Sequence, residues 1–236
     1  MSDSSSESFP TTAKVVVIGA GIVGNCLVGH LSRLGWRDMV LIDKGPLPNP
    51  GGSTGHASNF IFPVDHNKEM ALLGEQSANQ YRDMELSVDS GGIEVARTQE
   101  RMDELNRRMT SAKAWGIEAH LLSPSEVKAL VPFINEDVIL GGFHCPTVSV
   151  VDSLETGTVM RKEAIANSGL QVFANTEVLD VLTEADATPV MTKVTGIVTD
   201  KGTIAAEYVV IACGVWSNRI ANMAGAYIPL VPAVHQ

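Results

Sequence analysis

Apolar residues recur along this chain at two spacings, and the first forty or so positions hold both. Val15, Val16, Val17 and Ile18 form an unbroken apolar run, the pattern of a strand buried on both faces. Ile22, Val23, Cys26, Leu27, Leu31 and Leu34 then repeat at helical spacing, and Gly35 stops the helix. Met39 to Ile42 make a second buried strand, which ends in Asp43. Farther on, Met70, Leu73, Ser77, Tyr81 and Met84 mark one face of a helix. Met102, Leu105, Met109, Ala112 and Trp115 mark another, with Gly116 as its stop and Glu104 expected to pair with Arg108 on the surface. Ser123-Pro124-Ser125-Glu126 opens a short helix, with Ser as cap, Pro in first position and Glu closing a capping box. Strands are predicted over 91–97, 117–122 and 138–143. Asp152 and Glu155 start a helix that runs to Gly169, and strands follow over 170–173 and 176–182. Residues 191–198 and 203–206 read as a hairpin about Asp200-Lys201-Gly202. The apolar run 208–213 leads into Gly214-Val215-Trp216.

Between the first strand and the first helix stands Gly19-Ala20-Gly21-Ile22-Val23-Gly24, a Gly-x-Gly-x-x-Gly turn. A strand, this turn and a helix together form the layout that holds a dinucleotide by its pyrophosphate. Gly19 allows the tight turn, Gly21 lets the backbone approach the phosphates, and Gly24 lets the helix pack close. Unpaired N–H groups and the helix dipole attract the anion without a lysine. Asp43 can accept hydrogen bonds from both ribose hydroxyls of an adenosine. The turn alone serves NAD and FAD equally.

Charge and composition narrow the function further. Across 236 residues, 17 Lys and Arg face 27 Asp and Glu, for a formal charge of −10. No basic patch offers itself to nucleic acid. No apolar run reaches the roughly 20 residues that span a bilayer, so no membrane partner is expected. Cys26, Cys145 and Cys213 are widely spaced in apolar surroundings and read as reduced core cysteines, with no metal site. Met1 to Thr12 is serine-rich without a basic residue, the composition of a disordered tail. Cytoplasm is the expected compartment, with a mitochondrial location left open. The Pro- and Gly-rich stretch 44–56 must be a loop. The expected division is a tail over 1–12, a cofactor domain over 13–65 and 147–225, and a partial second domain over 66–146 and 226–236.

Four segments carry a resemblance to a known family: the glycine turn, Pro50-Gly51-Gly52-Ser53-Thr54-Gly55-His56-Ala57, the run 209–216 that ends in Gly-x-Trp, and Val231-Pro232-Ala233-Val234-His235-Gln236. Together they resemble the FAD-dependent oxidoreductases of the D-amino-acid oxidase superfamily, and most of all its dimethylglycine oxidase, dimethylglycine dehydrogenase and sarcosine dehydrogenase branch. The resemblance implies an α/β fold, a Rossmann-like FAD-binding domain with an inserted α+β substrate domain, cut short at the C-terminus. It implies FAD as cofactor and oxidation of a small N-methylated amine, with oxygen or an electron-transfer protein as acceptor. Through it, His56 matches the histidine bonded to the flavin 8α-methyl group, a position that otherwise reads as a solvated loop histidine. Ser53, Thr54 and Gly55 fall on the flavin side, Asp43 and Lys44 at the adenosine ribose, and Ile22 and Val23 at the pyrophosphate. Val178 matches a residue whose backbone meets the adenine edge, and reads equally as a core valine. Gly214 lets the backbone approach a phosphate while Trp216 fills the layer behind. His235 matches a catalytic histidine on the substrate side and reads otherwise as a frayed terminal residue. His66, His120 and His144 have no motif support. Two other readings stand beside the enzyme: a regulatory FAD-fold protein like the pyruvate dehydrogenase phosphatase regulatory subunit, and an NAD-dependent dehydrogenase. Without the following part of the relatives, little turnover of dimethylglycine or sarcosine is expected from this chain alone.

Overall fold

The computed structural model describes residues 8–65, 67–185 and 192–233. They form two compact units, one built from the chain up to Ala57 and from Ser153 onward, the other from Ser58–Asp152. The chain begins in the first unit with β1 (Thr12–Ile18), α1 (Ile22–Arg33) and β2 (Met39–Ile42). The second unit holds β3 (Phe60–Ile61), α2 (Lys68–Asp83), β4 (Ser87–Asp89), β5 (Gly92–Ala96), α3 (Gln99–Trp115), β6 (His120–Leu122), α4 (Pro124–Leu130), β7 (Gly141–Cys145) and β8 (Ser149–Val151). The chain then returns with α5 (Ser153–Ser168), β9 (Gln171–Phe173), β10 (Val178–Ala185), β11 (Thr192–Thr199), β12 (Gly202–Ile211) and α6 (Ser217–Met223).

The described strands of the first unit make one sheet in the order β10-β11-β12-β1-β2-β9. β12, β1, β2 and β9 run parallel, while β10 and β11 extend the sheet as antiparallel strands. The apolar runs explain the centre: Val15, Val16, Val17, Met39, Val40, Leu41 and Ile42 are all at most 2% exposed, because both faces of these strands are covered. One face packs with Ile197 and Ile204, the other with Val28 of α1 and Ala164 of α5. α1 and α5 approach closely over two glycines. A Cβ on Gly29 would stand 2.6 Å from the Met160 side chain, and one on Gly157 would stand 2.9 Å from Asn25 Nδ2.

In the second unit β5-β7-β6 and β3-β8-β4 form two small antiparallel sheets. Leu105 and Ala112 of α3 pack with Phe143 and Cys145 of β7, with Met102 and Met109 beside them. The capping box at Ser123 and Glu126 forms, and Gly116 ends α3 in the left-handed region at φ 75°.

Several expectations are corrected. The unit boundaries fall after Ala57 and Asp152, not at Asp65 and Thr147, because residues near 58–65 and 147–152 pair with each other as β3 and β8. Residues 226–233 go with the first unit, not with the insertion. The tail reading of residues 1–7 lies outside the described residues. Residues 9–12, however, are held in place: Phe9 meets Phe173 edge-on at 4.9 Å, and Thr11 accepts a hydrogen bond from Ala205 N. β12 is one strand across 202–211, and α6 follows it unforeseen. β7 starts only at Gly141, because Asn135 caps a 3-10 turn over Glu136–Val138. Glu104 pairs with Arg107 at 2.5 Å, while Arg108 instead pairs with Glu94 of β5, donates to Val64 O at 2.6 Å and lies over the Phe62 and Phe143 rings.

Candidate cofactor site

The loops that follow β1, β2 and β12, all leaving the same ends of parallel strands, surround a cavity of about 560 Å³. This is where an open α/β sheet binds its ligand, since the strand order changes direction there. Gly19, Gly21, Ile22 and Val23 supply the first wall, Asp43 and Lys44 the second, and Gly214 and Trp216 the third. The loop 50–54 and the link Thr176–Val178 complete it.

The glycine turn is shaped by contacts a side chain could not survive. A Cβ on Gly19, which sits at φ 105°, would lie 2.4 Å from Ala212 O. One on Gly24 would lie 1.8 Å from Gly19 O. Gly24 therefore makes room for the turn's own carbonyl and leaves the cavity lining to its neighbours. A Cβ on Gly21 would meet the Thr54 hydroxyl at 3.1 Å. That hydroxyl accepts from Ile22 N at 2.9 Å, so a loop residue 32 positions away satisfies one donor of the α1 start. Thr54 O in turn accepts from Ser153 Oγ at 2.9 Å, fixing the loop to the start of α5.

Asp43 is half-buried and already engaged. Its Oδ2 accepts from Ala20 N at 2.7 Å and its Oδ1 from Gly45 N at 2.8 Å. A carboxylate offers about four lone-pair positions, so both oxygens retain capacity for a ribose. Beside it, burial and the Asp43 charge push the Cys213 thiol up to about 11, and its Sγ donates to Ile18 O at 3.2 Å. This thiol is a neutral wall at ordinary pH and no nucleophile.

Of the residues singled out in the sequence, Gly19, Gly21, Ile22, Val23, Asp43, Lys44, Ser53, Thr54, Val178 and Gly214 line the cavity together. Gly55 and His56 do not line it; they lie in a 3-10 turn over Ser53–His56, with His56 exposed. Val178 is 5% exposed, as a core valine is, and also lines the cavity. Trp216 is corrected: it is 46% exposed and faces the cavity, with Lys44 Nζ 5.9 Å from its ring. His235 and His66 lie outside the described residues. His120 is an exposed partner of Glu118 at 3.2 Å. The lining also contains Thr176, Glu177, Arg219 and Ile220, which sequence reasoning passed over. Arg219 and Glu177 form an exposed ion pair at 3.5 Å. Neither α6, seven residues long, nor the β9–β10 link carries a periodicity that could have announced them.

The donor set suits a dinucleotide. It combines a glycine cradle open toward the cavity, a helix start with no acidic residue in its first turn, a carboxylate at the end of β2, and an indole beside an ammonium. Among the described residues no helix is long and apolar enough to cross a membrane.

Comparison with known proteins agrees with this geometry. The family described as FAD dependent oxidoreductase (DAO) matches residues 14–236. Mitochondrial sarcosine dehydrogenase of Mus musculus is 34% identical over 98% of this chain, which spans 26% of that protein. The mitochondrial pyruvate dehydrogenase phosphatase regulatory subunit of Mus musculus is 30% identical over 97% of the chain, again across 26% of its length. The chain thus spans about a quarter of these curated relatives. Among solved structures, L-proline dehydrogenase from P. horikoshii superposes with a TM-score of 0.82 at 24% identity, covering 92% of this chain and 57% of that one.

Proposed function

The chain belongs to the FAD-dependent oxidoreductase family, and on that premise we propose that it is the cofactor-holding part of an oxidoreductase acting on the C–N bond of a small N-methylated amino acid of the sarcosine or dimethylglycine type. The observation that carries this reading is the cavity itself, in which the glycine turn, Asp43 and the 50–54 loop converge at the ends of β1 and β2. FAD bound there supplies a two-electron acceptor for hydride from a carbon next to nitrogen. Gly21 and the α1 start hold the pyrophosphate, Asp43 the ribose, and the Val178 backbone the adenine edge. His56, exposed at the end of its turn, is the candidate for covalent attachment to the flavin. His235 is the candidate proton acceptor. An amine gives up hydride only when unprotonated, because its lone pair stabilises the forming iminium, and an imidazole near neutrality can hold it so.

Absorption spectra before and after acid precipitation test the cofactor assignment. Flavin absorbance in the purified protein is the expected result, and tight NAD binding without it would sink the assignment. Flavin that stays with the precipitate and is released by His56→Ala supports covalent attachment; flavin freed entirely from the wild type refutes it. Identity to the phosphatase regulatory subunit favours a second reading, a regulatory FAD-fold protein. Anaerobic addition of sarcosine or dimethylglycine separates the two when it is made to the chain together with the natural sequence that follows it: bleaching of bound flavin supports the enzyme, and no bleaching with either amine supports the regulator. The expected cytoplasmic location now stands beside the mitochondrial one named for both mouse relatives.

A further inference from the structure

Behind the glycine turn lies a buried cation that the cofactor contacts do not use. Arg161 of α5 is 8% exposed. Its Nη1 donates to Asn25 Oδ1 at 3.0 Å and its Nη2 to Thr158 Oγ1 at 3.4 Å; among the described residues no carboxylate pairs with it. Burial pulls its pKa below the ordinary guanidinium value, with no opposing charge to restore it. A buried charge without a counter-ion is unfavourable, so its position calls for a compensating anion.

Asn25 links this charge to the turn. It is 3% exposed, and its Nδ2 donates to Ala20 O at 2.7 Å. A guanidinium has donors only, so Oδ1 must face Arg161 and Nδ2 must face Ala20; the amide has one allowed orientation. Ala20 N meanwhile donates to Asp43 Oδ2 at 2.7 Å. Both polar groups of Ala20 are therefore held. In a trans peptide the N–H points opposite to the C=O, so the Gly21 N–H is turned away from Asn25 and toward the cavity that Gly21 lines. Gly157 provides the space in which Asn25 sits.

We propose that Arg161 is a positioning residue and buried counter-charge for a diphosphate at the α1 start, acting through Asn25 to hold the Ala20–Gly21 peptide in its anion-facing orientation. The inference rests on the cavity being a dinucleotide site and adds the source of its affinity for the diphosphate. The test uses apo-protein, with FAD followed by quenching of its fluorescence and ADP and adenosine by calorimetry. Arg161→Gln should weaken FAD and ADP about tenfold, as loss of one nearby charge implies, and leave adenosine unchanged. Arg161→Lys, which keeps the charge, should stay within about threefold of wild type. If Arg161→Gln does not fold, Asn25→Asp sets a carboxylate against the guanidinium and should produce the same selective loss for ADP. Parallel losses for ADP and adenosine, or ADP binding by Arg161→Gln equal to wild type, would overturn the inference while leaving the cofactor reading intact. A wild-type chain that binds neither FAD nor ADP overturns both.

Discussion

α1 of the first unit begins in a way opposite to the helices of the insertion. Each helix of the insertion closes its own start. Asn67 accepts from Met70 N at 2.8 Å, Thr98 from Arg101 N at 3.3 Å, and Ser123 takes part in a full capping box. Glu69, Glu100 and Glu126 add a negative charge in each first turn. α1 has neither device. Its N-cap is Gly21, which has no side chain to offer, and its first turn carries no acid. A capped and charged first turn has spent its donors and its dipole on itself. One left bare keeps its dipole for an external anion, and the Ile22 N–H is met by the Thr54 hydroxyl, from a loop that itself lines the cavity.

The sharpest way to break this contrast is at its glycines. Gly24→Ala drives a methyl to 1.8 Å from Gly19 O and should cost about 3 kcal/mol in chemical denaturation, with loss of FAD binding. A Cβ on Gly74 of α2, in the insertion, would meet nothing nearer than Phe62 O at 3.8 Å, so a methyl there is accommodated.

The next largest effect is that of the Asp43 carboxylate on Cys213, which borders the same cavity. With Cys213 held up to about 11 by burial and Asp43, its thiolate is scarce at pH 8. Alkylation should run about 100-fold slower than for a free thiol of pKa near 9 and rise about tenfold per pH unit. Asp43→Asn removes the raising charge and should speed the reaction, as mass spectrometry of the labelled Cys213 peptide would show. A rate at pH 8 equal to that of a model thiol would deny the buried, acidic surroundings.

Removing one cap from each kind of helix sharpens the comparison more gently. Asn67→Ala should lower unfolding free energy by about 1 kcal/mol and leave FAD affinity unchanged. Thr54→Val should do the reverse, weakening FAD affinity severalfold with a smaller loss of stability, because it loosens the loop while the Ile22 N–H opens to the cavity. Equal stability losses with equal FAD affinity would mean the two starts do the same job. Smallest of all, Gly74→Ala should raise stability by about 0.5 kcal/mol through a less flexible unfolded chain.

Much of the first unit was legible because its signals are local. An unbroken apolar run, three glycines and a helical repeat are enough to place β1, α1 and β2 and to single out Gly19, Gly21 and Asp43, whereas the other seven lining residues singled out in the sequence came through the family resemblance. What escaped depends on distant partners. Gly-x-Trp reports a backbone turn, yet where the Trp216 indole goes is decided by Gly52 and Lys44, more than 150 residues upstream. Arg108 could choose Glu104 on its own helix or Glu94 on β5, and the aromatic rings beneath it favour the latter. β3, β4 and β8 have two or three residues each, too few to show an alternation. Asn25 and Arg161 are polar residues within helices, which pattern alone assigns to the surface. Only the glycine-spaced contact of α1 with α5 buries them.

The pairing of β1 has a consequence for how such a chain is born. On one side β1 lies against β2, with Val15 opposite Met39; on the other it lies against β12, with Val15 opposite Tyr208. The first neighbour leaves the ribosome almost at once, the second only about 170 residues later. At 5–20 residues per second that delay is about 10–40 s. Throughout it, a strand with four consecutive apolar residues, Val15 to Ile18, presents an open hydrogen-bonding edge, the kind of template on which chains aggregate. The strand at the centre of the finished sheet is thus its most vulnerable edge during synthesis, and chaperone protection has its greatest value before β12 arrives.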